Sequence, residues 1–339
     1  MPLLSRGATT TPVLSVFLVV VVAALSYLGA AAPAFIENGR TATIQRAVEA
    51  LPDLAQWPSA TTPGLPAFSE VSEDDIGVWG GARTTLEELR REQPEPLRTL
   101  LGEPRIVMAV DSSSTADDDP ARTTPVPDNR VGLVSDPGLD ERAELVDGRL
   151  PELTDPSQGI EIVLTDVVAE QLGWAVGTQR RWEDTTLVLT GIVTPSGRDD
   201  GDWSFISGSA EPQVEVTASG DRILVGAGFM HVDEAAALTD RVSDIKISAW
   251  MPFDASRLDA DTAGAAAAQL RLLSATPADI ELYDRTFYNR GLPFSSSLPQ
   301  TIETGIVRGD AMTTVVTVAA VGPIAVALVV LVLVSRRLR

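Results

Sequence analysis

Cysteine is absent from the 339 residues, which removes both disulfides and thiolate metal sites. A domain built from this chain has only its core to hold it. Histidine occurs once, at His231, so a triad or a His-rich metal centre has a single imidazole to draw on. Lysine also occurs once, at Lys246, against 25 arginines, a skew that reads as the codon bias of a GC-rich genome. Basic charge is scarce overall: 26 Lys and Arg face 47 Asp and Glu, for a formal net charge of −21 and a pI near 4.4. That balance excludes nucleic acid as a partner, because phosphate backbones attract basic surfaces. A G-x-x-x-x-G-K-[ST] phosphate loop is missing too, so the chain has no ATP site of that kind.

Two uncharged apolar runs stand apart from the rest. The first is Val13 to Ala34 and the second Ala311 to Val334. At about 1.5 Å per residue each is long enough for a hydrocarbon core of about 30 Å, which predicts transmembrane helices over 13–34 and 311–334. Gly322-Pro323 should kink the second. All 47 acidic residues fall between Glu37 and Asp310, whereas Arg6 precedes the first run and Arg336, Arg337 and Arg339 follow the second. The positive-inside rule then places residues 1–12 and 335–339 in the cytoplasm and residues 35–310 outside the cell membrane. Arg6, the apolar run and the small residues Gly29–Ala32 also fit a secretory signal with a cleavage site, and either reading exports the middle of the chain.

Between the runs the pattern is α+β: a mixed sheet with helices on one side. Ile44, Ala47, Val48 and Leu51 share one helical face, predicting a stalk over 35–51, with Gly39 a weak point. Pro52–Pro66 reads as a loop. Thr85 with Glu88 suggests a capping box for a helix ending before Pro94. Arg105–Val110 is a short strand, and the polar stretch Asp111–Asn129 a surface loop. Ile160, Ile162 and Leu164 alternate as a strand. Thr165 follows as an N-cap, Val168 and Leu172 share a helix face, and Gly173 ends the helix. Thr186–Val193, Val214–Thr217, Arg222–Val225 and Asp244–Trp250 are further strands, with helices over Val232–Arg241 and Asp259–Leu273. Ile302 and Ile306 mark a second stalk over 298–310.

Chemistry is hard to find. His231 lies in a Gly-flanked loop and reads as structural. Arg198–Asp202 offers oxygen ligands at loop spacing but lacks the calcium-loop pattern with its terminal Glu, and Asp117–Asp119 reads as solvated. Gly226 and Gly228 lack the third glycine and capped helix of a phosphate loop. Six tryptophans are scattered singly as core or interface residues. No catalytic, cofactor-binding or metal-binding residue is assigned, and the chain is read as neither an enzyme nor a cofactor carrier.

The order of parts is more telling. An apolar run, a stalk, an exported domain, a second stalk and a second run, together with Ala31–Glu37 (AAPAFIE), Ser135–Pro151 (SDPGLDERAELVDGRLP), Gly159–Gly177 (GIEIVLTDVVAEQLGWAVG) and Leu187–Val193 (LVLTGIV), resemble the start of an FtsX-like (MacB-type) ABC transporter permease. Thr190 stands where that pattern more usually has Val. The resemblance implies a MacB-like extracytoplasmic core. It also implies a separate ABC ATPase subunit as partner, a homo- or heterodimer formed through permease helices, and contact with the lipid bilayer. Such permeases have at least four spans, so the sequence reads as the N-terminal part of a longer permease or as a shortened relative. The implied function is coupling of cytoplasmic ATP hydrolysis to an extracytoplasmic domain. A doubly anchored extracellular scaffold is the alternative.

Overall fold

A computed structural model describes residues 33–66, 79–116, 129–154, 159–196, 201–216, 220–234, 238, 245–283 and 288–315. The chain divides into two compact units. One, the stalk unit, takes Met1–Ala50, Ala255–Gly264 and Gln300–Arg339; the other, the barrel unit, takes Leu51–Asp254 and Ala265–Pro299.

The strands of the barrel unit, in chain order, are β1 (Ser59–Pro63), β2 (Leu65–Pro66), β3 (Arg105–Ala116), β4 (Asn129–Ser135), β5 (Ala143–Gly148), β6 (Ile160–Thr165), β7 (Gln179–Trp182), β8 (Thr185–Pro195), β9 (Gln213–Val216), β10 (Arg222–Met230), β11 (Ile245–Trp250), β12 (Ala278–Tyr283) and β13 (Tyr288–Leu292). Six of them close on themselves. β3 is antiparallel to β4, β4 parallel to β10, β10 antiparallel to β6, and β6 parallel to β8. β8 is then antiparallel to β7, and β7 returns to β3 through Thr115 opposite Trp182 and Ala116 opposite Arg181. β11 and β1 extend the sheet from β3, while β9 joins β10 and β5 joins β8; β13, β12 and β2 form a separate small sheet.

Bulges let long strands serve two partners. In β3 one falls between Val110 and Ser113, where the outer neighbour changes from β11 to β7. In β8 Thr190 is the extra residue, because Ile162 faces Leu189 and Val163 faces Gly191. The Thr190 hydroxyl donates to the Ile162 carbonyl at 3.2 Å, and its carbonyl accepts from the Arg149 N–H at 2.9 Å. A Cβ on Gly191 would lie 2.4 Å from the Arg149 carbonyl oxygen, so only glycine fits beside this bulge.

Both faces of the closed sheet are buried. Val107, Val134, Val163, Val193 and Phe229 lie on one face and pack with Trp203, Ile206 and Trp250. On the other, Gly226 and Gly228 admit neighbours: a Cβ on Gly226 would meet Val168 at 2.7 Å, and one on Gly228 would meet Ile162 at 2.9 Å. The helix Asp166–Leu172 therefore lies directly against the β10 backbone. It ends at Gly173, whose φ of 69° needs no Cβ-bearing residue. Trp182 is fully buried and donates from Nε1 to the Val131 carbonyl at 2.8 Å, which satisfies its one polar group beside the closing seam.

These observations correct several expectations. The expected mixed sheet with helices on one side is a closed six-stranded barrel with added strands. Closure was hidden because β7 reads QRRW, two charges in four residues, without apolar alternation. The expected loop from Asp111 begins as β3 instead, its polar residues paired across the ladder to Ala116; 117–128 lie outside the described residues. Pro52–Pro66 holds a short helix, Asp53–Gln56, and the strands β1 and β2. No capping box forms at Thr85, which is inside the helix Gly80–Glu92 with its hydroxyl on the Gly81 carbonyl at 2.9 Å. Thr165 precedes its helix but makes no side-chain cap; its hydroxyl donates to Ser209 at 2.6 Å. The flanking transmembrane helices are also without support. Their segments lie outside the described residues apart from 33–34 and 311–315, and among the described residues no helix is long and apolar enough to cross a membrane.

Candidate functional site

The stalk unit is built from a helix over residues 33–49 and the part from 300 onward of a helix over residues 298–315. Apolar spacing explains the contact. Ile44 and Ile302 are fully buried and Val48 nearly so. Gly305 and Gly309, one turn apart, carry no side chain to hold the helices apart. A Cβ on Gly305 would lie 3.0 Å from the Cα of Ile44, and one on Gly309 would lie 3.4 Å from the Cα of Arg40. Since 44 faces 305 and 40 faces 309, the helices are antiparallel, and residues 33 and 315 lie at the same end of the pair.

Polar groups lock this arrangement. Arg40 reaches Asp310 at 2.9 Å and Glu37 at 3.2 Å. Hydroxyls of Thr43, Thr304, Thr313 and Thr314 each donate to the carbonyl one turn back, at 2.8 to 3.0 Å, so these side chains need no outside partner. Gln45 Nε2 donates to the carbonyls of Ser256 and Leu258, both at 3.0 Å, and the Ala260 N–H donates to Thr41 Oγ1 at 3.1 Å. That loop is itself pinned by Asp259, which accepts from the Thr262 hydroxyl and N–H at 2.7 Å. Those bonds, the hydroxyl first, hold the Asp259 carboxyl below the usual range. No proline interrupts 34–49 or 300–315.

A second constellation lies in the barrel unit. Asp136 and Arg142 form a buried ion pair, and Asp136 Oδ1 accepts from the Gly138 N–H at 2.9 Å. The guanidinium sits 5.7 Å from the ring centre of Trp203 and 5.8 Å from that of Trp250. Phe205 stacks on Trp250 at 5.0 Å and on Trp57 at 5.5 Å. A buried pair of this kind is weak evidence of net stability, because desolvation of the two charges offsets their attraction. It ties the turn after β4 to the segment around Trp203.

The residues singled out in sequence are not brought together. His231 is part-exposed, its Nδ1 accepting from the Asp233 N–H at 3.3 Å. Asp117–Asp119 and 197–200 lie outside the described residues, and among the described residues no cluster of acidic and histidine side chains could hold a metal. Gly226 and Gly228 serve packing inside β10. Of the tryptophans, Trp79, Trp174, Trp182, Trp203 and Trp250 are core, and Trp57 is part-buried in the aromatic stack. The Asp136–Arg142 pair went unread, although the Asp-Pro-Gly at 136–138 is a turn signal that the Asp136–Gly138 bond realises.

Comparison with known proteins gives a weak likeness to solved structures. No family model matches the chain, and no curated protein does. Among solved structures, the periplasmic region of MacB from Actinobacillus actinomycetemcomitans is similar, at 10% identity and a TM-score of 0.29, over 64% of this chain and 83% of that one.

Proposed function

We propose that this chain is a permease-type subunit of an ABC transporter system, acting at the cell membrane with its folded domain outside and both chain ends on the cytoplasmic side. A separate ATPase subunit hydrolyses ATP in the cytoplasm, a second permease subunit completes the assembly, and the stalk unit carries the resulting motion outward. The chain performs no catalysis of its own. The observation that supports this reading most is the antiparallel stalk pair, whose residues 33 and 315 share one end. A displacement applied there reaches both helices together, and their backbone contact at Gly305 and Gly309 keeps them from sliding apart. The sequence segments that resemble FtsX-like permeases, Ser135–Pro151, Gly159–Gly177 and Leu187–Val193, support the same reading.

The absence of cysteine makes the test clean. Single cysteines at Ser5, Glu215 and Arg339 are placed in the full chain, in cells, and exposed to a membrane-impermeant maleimide. Labelling at Glu215 in intact cells, and at Ser5 and Arg339 only after lysis, is expected. Labelling of either end in intact cells, or protection of Glu215, rejects the orientation. Affinity-tagged chain purified from its native membranes should bring with it an ATP-hydrolysing subunit. A chain that comes alone, without ATPase activity, points to the anchored scaffold instead.

A further inference from the structure

The stalk pair has an open face. Between its helices runs an open groove of about 510 Å³, lined by Thr43, Arg46, Ala47, Thr304, Arg308 and Met312. Its floor is small and weakly polar. Arg46 and Arg308 are exposed at its borders, and among the described residues neither has an acidic partner. The contrast with Arg40 is sharp, since that arginine is held by Glu37 and Asp310. Arg46 and Arg308 both bring positive charge to the borders of the groove.

We propose that this groove is a docking site for an acidic amphipathic helix of a separate protein. The alanine and threonine floor lets a third helix approach closely, and the flexible Met312 adapts to its side chains. Arg46 and Arg308 then take carboxylates along the incoming helix, which sets its register and orientation. A second copy of this chain is the poorer occupant. Placed face to face by two-fold symmetry, it would oppose arginines to arginines. The site goes beyond the transporter reading and does not depend on it.

The experiment uses the full chain in lipid nanodiscs and two stapled, alanine-rich helical peptides, one carrying glutamates one turn apart and one carrying lysines. Fluorescence anisotropy should show saturable binding of the acidic peptide, weakening with salt, and none of the lysine peptide. The Arg46→Ala/Arg308→Ala variant should bind at least about tenfold more weakly. Thr304→Trp, which fills the groove and keeps both arginines, should also abolish binding; circular dichroism confirms that each variant keeps its helices. Equal affinity for both peptides, or binding indifferent to Thr304→Trp, overturns the proposal. So does capture of phosphatidylglycerol vesicles with the same arginine dependence when the acidic peptide fails to bind, which assigns the arginines to lipid phosphate. A disulfide between two copies carrying Thr304→Cys, in place of peptide binding, overturns it in favour of self-association.

Discussion

Adding one methyl group at Gly305 and at Gly309 should have opposite consequences, although both glycines face the same neighbouring helix. In a helix interior alanine is favoured over glycine by about 1 kcal/mol. At Gly309 the new Cβ would meet Arg40 atoms at 3.4 to 3.5 Å, ordinary contact, so that gain survives and Gly309→Ala should stabilise the stalk by about 0.5–1 kcal/mol. At Gly305 the new Cβ would sit 3.0 Å from the Cα of Ile44, and backbone cannot rotate away. The helices must separate by a few tenths of an ångström, and overpacking of this kind costs about 1–3 kcal/mol. Gly305→Ala should therefore be neutral to destabilising by about 2 kcal/mol. The assay is native-state amide exchange over residues 300–315 in the full-length protein, where a 1.4 kcal/mol difference reads as about tenfold in protection. All six tryptophans lie in the barrel unit, so fluorescence-detected unfolding should be unchanged in both variants and serves as the internal control. Equal gains in protection from the two variants would refute the backbone contact.

Three further outcomes are expected. Trp182→Phe removes the donor to the Val131 carbonyl and part of a fully buried ring beside the closing seam, at a cost of about 1–3 kcal/mol in denaturant unfolding; an unchanged midpoint would mean that the barrel does not rely on that side chain. Glu87 accepts from Arg90 and Arg91, which hold its carboxyl down to about 2 from an ordinary 4.5. The folded-state value being the lower one, this contribution is complete above about pH 4.5 and is lost as pH falls toward 2. Glu87→Gln should cost no more than about 1 kcal/mol near neutrality, because these are part-exposed pairs within one helix, and should cost nothing at pH 2, as thermal melts across that range will show. Arg142→Leu strands Asp136 as a buried carboxylate and should destabilise by about 3–5 kcal/mol, whereas the double variant Arg142→Leu/Asp136→Leu should recover most of the loss; a double variant no better than the single one would show that Arg142 acts through Trp203 and Trp250 instead.

Local signals were legible where the chain follows one rule at a time. The alternation at Ile160, Ile162 and Leu164, the buried Val168 and Leu172 and the left-handed Gly173 all appear where spacing and turn chemistry place them. Ile44 and Val48 announce a helix face by their separation alone. Closure of the sheet was not legible. It depends on Gln179–Trp182, where three polar side chains precede a single buried tryptophan, and on β3 continuing through Asp111–Ala116 after its apolar alternation has ended. In both places ladder hydrogen bonds and one deep anchor, not hydrophobic period, decide the strand. The Asp136–Arg142 pair was invisible for another reason: its rationale lies in Trp203 and Trp250, remote in sequence.

The stalk also imposes a timetable on synthesis. Arg40 and Asp310, which grip each other across the helix pair, are 270 residues apart. At roughly 5–20 residues per second the ribosome finishes the first helix some 10 to 50 s before its counterpart exists. Throughout that interval Ile44 and Val48 have no opposite helix to cover them. The newborn segment is then an adhesive amphipathic helix. Whatever shelters it, whether chaperone, translocation machinery or a transient fold of its own neighbours, must let go in time for the late-arriving Gly305 and Gly309 to close against it.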